Sequence, residues 1–210
     1  DESESRGLGD VYKRQGIVQE LGQIKSLTKK EDALILNVDA GSLAKSLEIG
    51  ASLCVNGTCL TVEKFQGTCV QLTAIAETLT KTNIGQLQCD ELVDLELSAT
   101  LQTYLGGHLV SGHVDCLAEI VEIIPKDVGK EYILKFPEFY GRYIISKGSV
   151  TLDGISLTVA EKSVSSLKVA LIPETLTKTR AGQWFVGQAV NMEVDQVAKY
   201  IENFVQGKEC

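Results

Sequence analysis

Ile75-Ala-Glu-Thr-Leu-Thr-Lys-Thr-Asn-Ile-Gly85 returns as Ile172-Pro-Glu-Thr-Leu-Thr-Lys-Thr-Arg-Ala-Gly182, with eight of the eleven positions identical and an offset of 97. At the same offset Ala51-Ser-Leu-Cys-Val-Asn-Gly-Thr-Cys-Leu-Thr-Val62 matches Gly148-Ser-Val-Thr-Leu-Asp-Gly-Ile-Ser-Leu-Thr-Val159. Shifted by 96, Gly16-Ile-Val-Gln-Glu-Leu-Gly-Gln-Ile24 matches Gly112-His-Val-Asp-Cys-Leu-Ala-Glu-Ile120. A near-constant offset over three separate stretches rules out chance, and a period this long is no solenoid unit. The chain therefore holds two copies of one small domain, at 16–97 and 112–194, joined by a linker over 98–111 that includes Gly106 and Gly107.

Each copy reads as β. Asp32-Ala-Leu-Ile-Leu-Asn-Val38 and Lys130-Glu-Tyr-Ile-Leu-Lys-Phe136 are apolar runs of strand length. Asn56-Gly57 and Asp153-Gly154 sit between β-like runs and predict hairpins, because both central residues of a type I′ turn need positive φ. The shared Glu-Thr-Leu-Thr-Lys-Thr predicts a short helical turn. Several short strands in so small a domain suggest a closed barrel, which leaves no exposed edge. The end differs: Val197, Tyr200, Ile201, Phe204 and Val205 fall at helical spacing, with Asp195 as candidate N-cap of a helix over 195–207. Its apolar stripe can pack on its own barrel or on another copy. Residues 1–15 are polar, match nothing in the first copy, and are read as an appended segment outside the fold.

Composition narrows the function. The 210 residues carry a net charge of −8, which argues against a nucleic-acid backbone as the main partner. No apolar run reaches the ~18 residues needed to span a bilayer, so no membrane role is expected. Cys54, Cys59, Cys69, Cys89, Cys116 and Cys210 form no Cys-x-x-Cys pair, and they are read as reduced thiols of a cytoplasmic protein. Two histidines without a carboxylate cluster point away from a metal site, and the glycines of 106–112 lack dinucleotide-loop spacing.

A duplicated domain supplies its own control. Positions shared by both copies serve the fold or a common ligand; positions that differ in polarity are candidates for divided labour. His113 stands opposite Ile17, Lys147 opposite Gly50, Ser156 opposite Cys59, and Asp195 opposite Ser98. Imidazole, hydroxyl, thiol, amine and carboxylate are the groups of acid–base and nucleophilic chemistry. Each also has a plain structural role open to it: a satisfied histidine, a core cysteine, a strand serine, a helix cap, a solvated lysine.

Taken together, Gly106-Gly-His-Leu-Val-Ser-Gly-His-Val-Asp115, Val55-Asn-Gly-Thr-Cys-Leu-Thr-Val62, Asp153-Gly-Ile-Ser-Leu-Thr-Val159 and Ile172-Pro-Glu-Thr-Leu176 resemble the α-subunit type of riboflavin synthase, in order, over essentially all of 16–205. The resemblance implies an all-β fold of two tandem Greek-key six-stranded β-barrels plus a C-terminal α-helix that helps make a homotrimer. It implies a transferase without cofactor or metal. Two molecules of 6,7-dimethyl-8-ribityllumazine would dismutate by four-carbon transfer to riboflavin and 5-amino-6-(D-ribitylamino)uracil, the last step of riboflavin biosynthesis. Association with a lumazine synthase is left open.

Carried over by motif, the first pocket includes Gly16, Ile17, Val18, Cys59, Leu60, Thr61, Thr73, Ala74, Ile75, Ala76, Glu77 and Thr78. The second includes Gly112, His113, Val114, Lys147, Ser156, Leu157, Thr158, Ala170, Leu171, Ile172, Pro173, Glu174 and Thr175. Cys59, His113, Ser156 and Asp195 are the candidates for proton transfer or adduct formation. Two departures stand out. The family begins near Met-Phe-Thr-Gly-Ile-Val, where this chain has Arg14 and Gln15 before Gly16, and Thr73 stands where the family often has an acid. The competing readings are a non-catalytic lumazine- or flavin-binding protein of the same superfamily, and a structural barrel module; the latter leaves the polarity differences between the copies unexplained.

Overall fold

A computed structural model describes residues 16–98 and 107–207. The segment 1–15, Gly106 and Cys210 lie outside the described residues. The first copy forms β1 (Glu20–Lys29), β2 (Ala33–Asp39), β3 (Ser52–Val55), β4 (Thr58–Gln66), β5 (Cys69–Ile75), α1 (Ala76–Lys81) and β6 (Leu92–Leu97). The second repeats it as β7 (Cys116–Pro125), β8 (Lys130–Lys135), β9 (Ser149–Leu152), β10 (Ile155–Lys162), β11 (Ser166–Leu171), α2 (Pro173–Lys178) and β12 (Ala189–Val194). A terminal helix, α3 (Gln196–Gln206), follows.

Both sheets close into six-stranded antiparallel barrels of one topology, β1-β2-β5-β4-β3-β6 and β7-β8-β11-β10-β9-β12. The duplication extends to irregularities: the register shifts between Ile24 and Ser26 and between Val62 and Lys64, and again between Ile120 and Glu122 and between Val159 and Glu161. Such bulges bend a strand sharply enough to close a small barrel. Alternation puts Leu36, Leu53, Leu72 and Leu95 inside the first barrel, and Leu134, Val150 and Leu152 with Tyr132 inside the second. Each such apolar side chain contributes about 1.5–3 kcal/mol by leaving water. Tyr132 packs edge-on to Trp184 at 5.3 Å and donates its hydroxyl to the Ala181 carbonyl at 2.7 Å.

The hairpin turns have the expected geometry, with φ of 47° and 73° at Asn56 and Gly57 and of 46° and 87° at Asp153 and Gly154. They also meet each other: a β-carbon on Gly57 would lie 2.4 Å from the Gly154 nitrogen. Around this point runs a buried polar seam between the barrels. Asn191 donates from Nδ2 to the Asn56 carbonyl (2.7 Å) and to Asn83 Oδ1 (2.9 Å), and accepts at Oδ1 from the Asn83 amide (2.7 Å). Asp94 accepts from the Arg180 amide at 2.8 Å, while the Arg180 guanidinium pairs with Glu91. Burial pushes the Asp94 carboxyl up to about 7 and the Asp153 carboxyl up to about 6.

Asp195 caps α3, its Oδ1 accepting from the Val197 amide at 2.9 Å. The helix is tied to the second barrel by Lys199–Asp115 and Arg142–Glu202 pairs. Its stripe does not pack on its own barrel: Val197, Tyr200, Ile201, Phe204 and Val205 are all exposed.

Candidate active site

The segment that leads into each barrel crosses to the other. Gly16 donates its amide to Glu96 Oε1 on β6 (2.9 Å), while its carbonyl accepts from the Ser156 amide on β10 (2.8 Å). Gly112 donates to Glu193 Oε2 on β12 (3.0 Å), and its carbonyl accepts from the Cys59 amide on β4 (2.9 Å). Glu193 Oε1 also accepts from the amide and the hydroxyl of Ser111, both at 2.7 Å. Both glycines need their identity: φ is +69° and +77°, and an added β-carbon would lie 2.6 Å from Ser156 Cβ or 2.8 Å from Cys59 Cβ.

This differs from the grouping carried over by motif. Gly16, Ile17 and Val18 belong with Ser156 rather than Cys59, and Val18 packs against the second barrel's core. Gly112 and His113 belong with Cys59 rather than Ser156. The cause is the buried glutamate at the end of each barrel's last strand, which holds the glycine amide and turns its carbonyl toward the facing barrel.

At the first barrel, Cys59 stands directly across the β3–β4 hairpin from Cys54. The hydrogen bond from Cys54 is the main cause holding the Cys59 thiol down to about 6, with Ser52 and the charge of His113 adding to it; burial and the Glu193 carboxylate push the other way. Cys54 is pushed well up by that same bond and by burial. The shared proton is thus drawn toward Cys54, which favours the thiolate at Cys59. His113 is exposed, its amide donating to Ser111 Oγ at 3.3 Å.

At the second barrel, Ser156 Oγ lies 2.8 Å from His108 Nδ1, and His108 Nε2 lies 3.2 Å from Thr151 Oγ1. Burial holds the His108 imidazole below its usual range, with the Asp195 carboxylate pulling the opposite way, which favours the neutral ring. A cavity of about 700 Å³ opens beside Ser156, lined by Ile17, Val18, Ile155, Ile172 and Thr175 among others. Lys147 is exposed at φ 66°, in a turn where the first barrel has Gly50 at φ 89°.

The remaining expected residues divide by strand alternation. Leu60, Leu157, Ala74 and Leu171 point into the barrel cores, so a ligand outside would meet only their backbones. Thr61 and Thr158 are exposed on the outer face, and Thr73 is half-buried. Ile75, Ala76 and Glu77 are exposed with Thr78 half-buried behind them; Ala170, Ile172, Pro173 and Glu174 repeat this with Thr175. Glu77 and Glu174 each pair with the lysine one helical turn on, Lys81 and Lys178.

Three residues escaped the sequence reading. His108 lies in the stretch assigned to the linker, inside a motif already quoted. Glu96 and Glu193 are related by the repeat offset and identical, but identity in a strand does not announce a carboxylate that holds a neighbouring loop.

Two copies of the lumazine binding domain family match residues 15–98 and 111–195. A riboflavin synthase of Actinobacillus pleuropneumoniae is 38% identical over 193 residues, covering 92% of this chain and 90% of that protein. One of Mycobacterium tuberculosis is 40% identical over 198 residues, covering 91% and 97%. Among solved structures, LumP complexed with riboflavin aligns with a TM-score of 0.80 at 25% identity, covering 86% of this chain and 98% of LumP.

Proposed function

The chain belongs to the riboflavin synthase family of two-barrel lumazine-binding proteins, and from that premise we propose how its residues perform the reaction. It is a transferase of riboflavin biosynthesis that converts two molecules of 6,7-dimethyl-8-ribityllumazine to riboflavin and 5-amino-6-(D-ribitylamino)uracil. The observation that carries the reading is the pair of pseudo-symmetric sites with different chemistry: the Cys59 thiol under Gly112 in one, a hydroxyl–imidazole pair under Gly16 in the other. Two like ligands need two like pockets; unlike roles, donor and acceptor, need unlike groups.

The exchange of lead-in segments shapes each pocket from both barrels. Holding two rings at contact distance lowers the barrier by about 7–11 kcal/mol through proximity. The lumazine ring is its own electron sink, and its C7 methyl is acidic enough for a modest base. Ser156, which lines the second-barrel cavity and bonds to His108 Nδ1, is suited to take that proton from a ligand while passing its own hydroxyl proton to the ring. The Cys59 thiolate, with His113 beside it, is suited to a transient adduct with the ring in the first. Asp195 acts on the charge of His108, and Lys147 and the outer-face threonines Thr61 and Thr158 meet the ligand's polar groups.

A productive pair of rings joins the first-barrel pocket of one copy to the second-barrel pocket of another, in a homotrimer assembled through the exposed stripe of α3. Free Cys54, Cys59, Cys69, Cys89 and Cys116 support a cytoplasmic setting, where a lumazine synthase is the candidate neighbour. Among the described residues no helix is long and apolar enough to cross a membrane.

The test is incubation with 6,7-dimethyl-8-ribityllumazine alone. Riboflavin at half the lumazine consumed, slowed by Cys59→Ser and His108→Ala, supports the assignment. Tight binding without turnover, even after residues 1–15 are replaced by Met-Phe-Thr, points to a carrier instead.

A further inference from the structure

Cys54 and Cys59 are directly opposed in the β3–β4 hairpin. Val55 and Thr58 flank the two-residue turn and form its hydrogen-bonded pair, and the Cys59 amide donates outward to Gly112 instead of across the ladder. Cys54 and Cys59 are therefore a non-hydrogen-bonded pair, the kind in which opposed Cα atoms approach to about 4.5 Å. That lies within the ~4.4–6.8 Å over which cysteines bridge. Both thiols share the outer face, because their neighbours Leu53 and Leu60 fill the core. Gly112 lies against both: a β-carbon there would meet Cys59 Cβ at 2.8 Å and Cys54 Sγ at 3.1 Å. The second barrel has Thr151 and Ser156 in the same places and cannot form such a bridge.

We propose that Cys54 and Cys59 are an oxidative modification site that takes hydrogen peroxide and closes a reversible disulfide, switching off the first-barrel pocket. The Cys59 thiolate attacks the peroxide O–O bond, forming a sulfenic acid and releasing hydroxide, which takes up a proton to become water. The Cys54 thiol then attacks the sulfenic sulfur; the S–S bond forms and the second oxygen leaves as water. Two thiols are oxidised by two electrons in all, and one peroxide is reduced to two waters. The charge distribution suits this order, with Cys59 the nucleophile and Cys54 the protonated resolving thiol. Cys116 and Cys69 are less apt: burial pushes Cys116 up to about 12 and is the main cause raising Cys69, while exposed Cys89 has no cysteine opposite it in a hairpin. The bridge would draw the Cys59 sulfur toward Cys54 and remove the thiolate beside His113. Its effect on turnover rests on the role proposed for Cys59; its formation does not.

The full chain, reduced and then exposed to hydrogen peroxide, is alkylated and cut with trypsin; Ser46–Lys64 is one tryptic peptide and holds Cys54 and Cys59 as its only cysteines. The expected result is that peptide lighter by two hydrogen atoms and unalkylated, with riboflavin formation down by about 100-fold and restored by dithiothreitol. In Cys54→Ala the same treatment leaves no bridge, and dithiothreitol fails to restore activity because Cys59 proceeds to sulfinic acid. Recovery of the peptide with both thiols alkylated, or a bridge that leaves turnover unchanged, overturns the switch. If the reduced chain makes no riboflavin, the proposed activity fails while the peptide mass still decides the bridge.

Discussion

Gly112, the first residue of the second repeat, lies on Cys59 of the first, accepting its amide at 2.9 Å with no room for a side chain between them. Gly112→Ala must move the loop or strain a backbone at φ +77°. The cost is on the order of 1–3 kcal/mol locally, so riboflavin formation should fall at least tenfold (~1.4 kcal/mol per decade) while far-UV circular dichroism keeps both barrels. Unchanged turnover would mean the crossing does not shape the pocket.

His108 should act in the chemical step more than in binding. His108→Ala is expected to lower kcat by about 100-fold with little change in KM. His108→Gln keeps hydrogen-bonding contact with Ser156 and Thr151 but cannot take a proton, so it should rescue folding and not rate. Equal losses in kcat and in lumazine affinity would make His108 a packing group.

Cys59 should label as a thiolate. Its rate of alkylation by iodoacetamide, followed by peptide mass, is expected to rise to half its plateau near pH 6, whereas Cys116 stays unlabelled through neutral pH. Cys54→Ala removes the largest cause of that shift, and the midpoint should move up.

Glu96 makes stability fall with alkali. Burial pushes its carboxyl up to about 8 from an unfolded value near ~4.3. The folded state then binds a proton that the unfolded state has lost. The contribution is full below the unfolded value, erodes as pH rises, and is gone past about 8. Glu96→Gln should flatten the urea-unfolding profile between those limits, gaining stability relative to the parent at the alkaline end. A parallel pair of profiles would show that Glu96 is ionised in the folded protein.

The stripe on α3 should hold copies together. Tyr200→Glu with Phe204→Glu places two charges on exposed apolar positions and leaves both barrel cores untouched. Sedimentation should show a trimer for the parent and a monomer for the double variant, with turnover lost and lumazine binding kept. A monomeric parent with full activity would remove the need for a second copy.

The order of the amino acids is enough to show the duplication, the strand periodicity, the two hairpins and the terminal helix. These depend on local rules: Asn-Gly and Asp-Gly admit positive φ, alternation sorts Leu60 from Thr61, and Asp195 caps the helix that follows it. It also supplied the chemistry, because Cys59 and Ser156 stand at equivalent places with different side chains. Which groups meet depends on contacts across the two barrels. An offset relates Gly16 to Gly112 but says nothing of which barrel each one touches; that depends on carboxylates some 80 residues away, Glu96 and Glu193, which hold the two amides. His113 stands by Cys59, and His108 by Ser156, for the same reason. The repeat aligns each copy with itself, whereas the site is built where one copy crosses the other, and such contacts between residues distant in the chain leave no period in the sequence.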